Sequence, residues 1–408
     1  MNLILQHKLA AKKTALTALL FGLSSSFILS SCDKEKSDSV EEQVEVNVDE
    51  TGRTQFLRSI RSQIVLPLLN GFEPKLSQLN QMIEAQDLEQ SQQAWREAML
   101  HWQQIELIQF GPAGVSGLRV GGQDLRDQIY AFPLTNPCRV DQVLVDGGFA
   151  ESDWLSQAQI NVSGLDAIEH LLFRTGSDSA CPAQTKIVRD GDWAAFQNDE
   201  SNANTQRWAY LKVLGAGVKT HYDTMVSAWN GSFGQAFEDA QAPFTSQKEA
   251  IDQVFAGIFY IDEVVKDLKL GAPVGIYMTC IEERCPELVE HQGSKLSKEV
   301  MIANLQALRA VFKGSSSAEP DSDDGFGFTD LLVEEGASEL GEQLESLIDR
   351  NIERAEALSG SFNELLENSP EELENLHSSV KELCDLMKSQ MVTVLNLSVP
   401  QEGAGDND

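Results

Sequence analysis

Apolar residues recur along this chain with the period of an α-helix. Residues 87–110 carry Leu88, Trp95, Met99 and Trp102 at helical spacings, with Pro112 close behind as a stop. Residues 205–230 set Trp208, Leu211, Val218, Tyr222, Met225 and Trp229 on a similar stripe. Residues 247–270 do the same with Ile251, Val254, Ile258, Ile261, Val265 and Leu268, ahead of Gly271 and Pro273. Further helices are expected at 298–313, 329–348, 351–367 and 371–395. No alternating run of strand length competes with them, so the fold class expected is all-α. Regions 111–160 and 175–200, rich in Gly, Pro, Asn and Asp, read as long irregular connections, as does the Ser/Asp/Gly segment 314–328. The long helices fall before about residue 175 and after about residue 204, and two helical bundles side by side is the economical arrangement. The domain boundaries expected are 53–200 and 201–400, with a tail at 401–408.

The N-terminus is of another kind. Lys8, Lys12 and Lys13 precede an apolar run from Ala15 to Leu29, and Leu29-Ser30-Ser31-Cys32 places two small residues directly before a cysteine. A basic start, a short apolar stretch and a small-residue cut site read as a secretory signal over 1–31, with Cys32 the lipidated first residue of the mature chain. A retained membrane span is the poorer reading, because about 20 apolar residues are needed to cross and Ser24 to Ser26 interrupt this run. Residues 33–52 are acidic, polar and free of aromatics, and read with Cys32 as a disordered tether. The expected location is the periplasmic space, on either bacterial membrane.

Charge narrows the partners. The formal net charge of −32 becomes −35 once residues 1–32, with three lysines and no acid, are removed. So negative a surface argues against nucleic acid and anionic lipid, and is compatible with metal cations, cationic partners or plain solubility. Cys280 and Cys285 stand in an expected loop as one plausible bridge. Cys138 and Cys181, each beside a proline, could form a second, and Cys384 sits in a helical pattern as a buried thiol. No CxxC is present to support thiol redox chemistry.

Two features could carry chemistry. Trp95, Met99, Trp102 and Glu106 lie at i, i+4, i+7 and i+11, which puts a carboxylate on an apolar stripe. Such a charge needs an ion partner, hydrogen bonds or a metal, unless the stripe has reached water at the helix end. The second feature is Gly164 to His170, GLDAIEH. On a helix Asp166, Glu169 and His170 can share one face, a donor set suited to iron, manganese or zinc. Alternatively, Asp166 only completes a capping box begun by Ser163. His101 and His221 are lone histidines on amphipathic helices, and HEXXH, GXSXG and P-loop patterns are absent.

Taken together these stretches resemble the imelysin-like family, in its lipoprotein branch. The resemblance rests on Ala94, Trp95, Trp102, Glu106 and Phe110 to Pro112; on LRDQIYAFPLTNPCRVDQ (Leu125 to Gln142); and on GLDAIEHLLF (Gly164 to Phe173). It continues through Ser294 to Gly314, the pattern near Phe328 to Leu344 and the terminal LNLSVP. It implies two packed four-helix-bundle-like domains with the site in a cleft between them, and an association with iron uptake. It also implies a metallopeptidase reading, through a GxHxxE metal motif. Here that motif has Asp166 in place of histidine, which weakens a zinc site while leaving room for a harder cation such as iron. Glu106, Asp166 and Glu169 match positions expected near the family site and are the candidate metal ligands. His170, Arg126 and Ser294 are further cleft candidates. The expected function is non-catalytic binding of iron or an iron-containing ligand. The alternatives are a scaffold for a periplasmic or inner-membrane transport partner, and a metallopeptidase.

Overall fold

Several helices begin at a side-chain cap, and several connections turn on a left-handed residue. A computed structural model describes residues 51–316 and 325–400. The signal, Cys32, nearly all of the expected tether and the 401–408 tail lie outside the described residues. Among those described every regular element is helical, and no helix is long and apolar enough to cross a membrane. The fold is all-α.

Helix α1 (Gly52–Ser59), capped by Thr51, runs through a π-helical stretch (Ile60–Val65) into α2 (Leu66–Ala85). Gln86 then turns left-handed, and the Asp87 side chain caps α3 (Leu88–Ile105) by accepting from Gln90 N. The region expected to be irregular at 111–160 holds α4 (Leu125–Ile129) and α5 (Pro137–Asp146). Asn136 caps α5 through Arg139 N at 3.0 Å, Pro137 occupies its first turn, and left-handed Gly147 ends it. Helices α6 (Gly164–Phe173), α7 (Glu200–Asn230) and α8 (Gln247–Ile258) follow. Next comes a π-helical segment, Ile261–Gly271, and then α9 (Ser297–Lys313), α10 (Phe328–Glu334), α11 (Ser338–Ala357) and α12 (Pro370–Leu386). The break expected near residue 350 is absent. The chain turns instead at left-handed Gly336 and at Leu358, so α11 spans both expected segments.

Helices α2, α3, α6 and α7 pack as one four-helix group, and the π segment, α9, α11 and α12 as a second. Helix α7 begins at the expected 200/201 boundary and packs on α2 and α6, so it completes the first group. Helix α9 lies on α3 and joins the groups across a continuous apolar core. The described residues belong to one compact unit.

The π segment departs most from expectation. A regular helix from 247 to 270 would bury Val265 and Leu268 together and leave Lys266 and Lys269 outside. Wider π turns rotate the register instead. Leu268 becomes half-exposed, while Asp262, Lys266, Asp267 and Lys269 are all buried. Both expected disulfides form, Cys138–Cys181 and Cys280–Cys285, and Cys384 is a buried free thiol.

Candidate ligand-binding site

The GLDAIEH helix is anchored by a glycine and a tryptophan. Gly164 has φ +78°, and a Cβ there would stand 2.6 Å from the Ile129 carbonyl oxygen. Glycine alone therefore lets the start of α6 press against the end of α4. The Trp95 indole N–H donates to the Leu165 carbonyl at 2.9 Å, fixing α6 to the α3 stripe. Ser163 makes no capping bond to the helix, and Asp166 closes no capping box. The Asp166 Oδ2 accepts from the Ala131 N–H at 2.7 Å, which holds the 131–135 turn against α6.

Asp166 and Glu169 open onto a cavity of about 480 Å³ between the two helical groups. One wall is α6 with Phe132, Pro133 and Pro137. The other is Leu268 and Ala272 from the end of the π segment, Thr279, and the stretch 287–293. Glu169 is fully engaged there. Its Oε2 meets His291 Nδ1 at 2.6 Å, and its Oε1 accepts from Ser294 Oγ at 2.7 Å and Ser294 N at 3.1 Å. Burial alone would raise the Glu169 pKa; the His291 charge and the bonds from His291 and Ser294 outweigh it and hold it low. His291 moves in the opposite direction. Burial would lower its pKa, but Glu169 and Glu290 raise it, so the pair is an imidazolium facing a carboxylate.

Behind this pair a polar network runs into the core. Tyr130 donates its hydroxyl to Glu290 and lies 3.2 Å from His291 Nε2. Lys269 reaches Glu290 at 3.1 Å, Gln103 Oε1 at 2.7 Å and Asn304 Oδ1 at 2.8 Å. Burial pushes Tyr130 and Tyr260 well above the usual phenol range, with the neighbouring Glu290 and Glu106 charges adding to it. Both hydroxyls therefore stay protonated. His291 has φ +57°, a left-handed conformation that histidine, like asparagine and aspartate, adopts more readily than most residues other than glycine.

Glu106, the carboxylate on the α3 stripe, is fully buried and does not emerge into water at its helix end. Its Oε2 accepts from Arg126 Nε at 2.9 Å and Nη2 at 2.8 Å, so its charge is met by a guanidinium. Arg126 also reaches the Phe132 carbonyl at 3.1 Å, tying this pair to the cavity wall. His170 borders the cavity, but its Nε2 is 2.8 Å from buried Asp141, which also holds Arg174, Ser179 and Ala180. Ser294 is buried and belongs to the Glu169 pair. Thus Asp166, Glu169 and Ser294 come together, whereas Glu106 and His170 are bonded to other partners. Among the described residues no three His, Cys, Asp or Glu side chains form a metal-ligand cluster.

Asp166 differs from its neighbours. Its Oδ1 makes no hydrogen bond among the described residues, and it forms no ion pair. Burial raises its pKa to about 7, against the opposing pull of the Ala131 N–H and the His291 charge. The His291–Glu290–Tyr130 group and Lys269 are not expected from sequence. Only the VEHQGS stretch, Val289 to Ser294, points to His291, and nothing local marks it as the partner of Glu169.

Residues 71–390 match the model of the imelysin family (peptidase M75). The chain belongs to that family. An imelysin-like protein from Psychrobacter arcticum 273-4 has the same fold, with a TM-score of 0.64 and 14% identity over 85% of this chain and 96% of that one. A protein named as an iron-regulated protein A precursor, from Parabacteroides distasonis ATCC 8503, has a TM-score of 0.64 and 16% identity, over 85% and 95% of the two chains. No curated protein matches.

Proposed function

We propose that this imelysin-family chain is a non-catalytic binding protein of iron acquisition, holding iron or an iron-containing ligand in the cavity between its two helical groups. Lipidated Cys32 would anchor it in the periplasm. The observation that carries the reading is that the family-motif helix delivers Asp166 and Glu169 to the wall of that cavity. The name of the Parabacteroides relative supports the link to iron. Neither Glu169 nor Tyr130 is set up for hydrolysis. Glu169 is held below the usual carboxylate range and both its oxygens are engaged, so it is a weak base. Tyr130 is held protonated, which makes it a poor nucleophile.

Metal analysis and iron titration of the purified protein, beside Asp166→Ala and Glu169→Ala, test this. Stoichiometric iron lost in both variants, with helicity unchanged by circular dichroism, is expected. No iron taken up in any form, free or chelated, overturns it. Cleavage of peptides by metal-loaded protein, abolished by chelator, would restore the peptidase reading.

A second reading, a scaffold for a transport partner, draws on one observation. The disulfide-braced loop beside the cavity exposes Met278 at 81% and Ile281 at 94%. Pull-down from membranes of iron-starved cells would recover such a partner, and loss of recovery on Met278→Ser with Ile281→Ser would place it on this loop.

A further inference from the structure

A bare ion is held by several donors converging on one point. Two of the carboxylates on the cavity wall are already engaged, Glu169 with His291 and Ser294 and Glu290 with Tyr130 and Lys269, and Glu106, paired with Arg126 through Oε2, does not line it. What the cavity offers is room, apolar wall and unmatched negative charge. The cations on its wall have carboxylate partners, His291 with Glu169 and Arg174 with Asp141, as do Lys269 and Arg126 behind it, with Glu290 and Glu106. Half-buried Arg96, over the ring of Phe173, bonds the Ser294 carbonyl. Asp166 on the wall and exposed Glu287 at the mouth form no ion pair among the described residues. Phe132, Pro133, Phe173, Leu268 and Val289 supply the apolar wall. Exposed Met278 adjoins wall residue Thr279, and exposed Ile281 lies on the same disulfide-braced loop.

We propose that the cavity takes an organic cation, and that iron reaches this protein as a chelate with a positively charged group on an apolar body, not as a bare ion. Asp166 and Glu287 receive the cationic group, while Phe132, Phe173, Leu268 and Val289 cover the body. A cavity of this volume with apolar walls and a few fixed polar groups has the form of a small-molecule site. The two unmatched carboxylates repel a chelate of net negative charge, which is the discriminating element. This inference rests on the reading of the cavity as the site of an iron-containing ligand.

Calorimetric titration of the purified protein with three probes separates the possibilities. They are ferrioxamine B (a ferric trihydroxamate with a free ammonium group), the same molecule without iron, and ferric citrate. Ferrioxamine B is expected to bind 1:1, at least about tenfold tighter than ferric citrate and tighter than its iron-free form. Asp166→Asn and Glu287→Gln should each weaken it about tenfold, the worth of about one well-placed charge contact. Glu287 is exposed, so its variant tests the charge without touching the fold, and Glu342→Gln on the exposed face of α11 should change nothing. Ferric citrate binding as tightly as ferrioxamine B overturns the cation inference and leaves the iron reading standing. Equal binding of the iron-free molecule supports the cation and overturns the iron reading. No binding of any probe overturns both.

Discussion

The π segment Ile261–Gly271 carries two buried charge clusters, and the difference between them separates a site from a structural network. Lys269 belongs to the cavity network, with Glu290, Gln103 and Asn304. Three residues earlier Lys266 stands 3.1 Å from Asp262 and 3.1 Å from Asp267, with Lys388 at 3.1 Å from Asp262. Both clusters are as buried as the apolar core. The first borders the cavity, and there, among the described residues, the wall carboxylate Asp166 stands without an ion partner. Burial of charge therefore does not itself mark function; an unmatched group facing a space large enough for a ligand does.

The strongest way to break the comparison is to unbalance the buried Glu106–Arg126 pair behind the cavity and then the Lys266 cluster. Arg126→Ala leaves Glu106 buried and unpaired, and should destabilise the protein by about 3–5 kcal/mol in urea unfolding. Replacing Glu106 and Arg126 together by methionine should recover most of that loss, since neither charge is then stranded. Lys266→Met should cost less, about 2–3 kcal/mol, because Lys388 still meets Asp262. It should also leave ligand affinity untouched. A large affinity loss in Lys266→Met would mean that the two clusters act as one.

Asp166 sharpens the comparison through pH. Its folded pKa, about 7, lies above its unfolded value. Between about pH 4 and pH 7 the folded state thus binds more protons than the unfolded one, and stability falls as pH rises through that window. The carboxylate partly faces cavity water, so the loss should be about 2 kcal/mol, below the full conversion of the shift. Asp166→Asn, which keeps an acceptor for Ala131 N–H, should remove this slope and be the more stable protein at pH 8. Parallel pH profiles of the two proteins would refute the assignment.

What sequence reveals divides along physical lines. Local rules carry most of the helices. The Asp87 and Asn136 caps and the Gly336 turn are written within a few residues of where they act, and α5 lies in a stretch that reads as irregular although Asn136, Pro137 and Gly147 spell its boundaries. The π segment is out of reach, because its 11-residue α-like pattern is read correctly only when one knows that Lys266 and Lys269 find carboxylates inside. The site is legible on one side only. Asp166 and Glu169 are close together in a motif, but His291 lies 122 residues beyond Glu169, and their pairing is a property of the packed structure. Glu106 is recognisable as a costly charge on an apolar stripe. Its partner Arg126, 20 residues on, is a candidate for the same cleft, but nothing in the sequence matches the two.

The smallest effect tests the Glu169 arm of the site. Ser294→Ala removes the hydroxyl donor at 2.7 Å and leaves the backbone N–H at 3.1 Å and the His291 contact at 2.6 Å. The loss should be about 1 kcal/mol at neutral pH, the net worth of one hydrogen bond to a charged acceptor discounted for what remains. Glu169 has a lowered folded pKa, so its stabilisation is present above the unfolded value and is lost as pH falls through the folded one. Without the hydroxyl that folded pKa rises, and acid unfolding of Ser294→Ala should begin at higher pH than in the parent. An unchanged acid limb would mean that His291 and the Ser294 backbone N–H set the charge of Glu169 without the hydroxyl. The serine would then serve only to place the 291–295 turn, whose His291 and Lys295 both have positive φ.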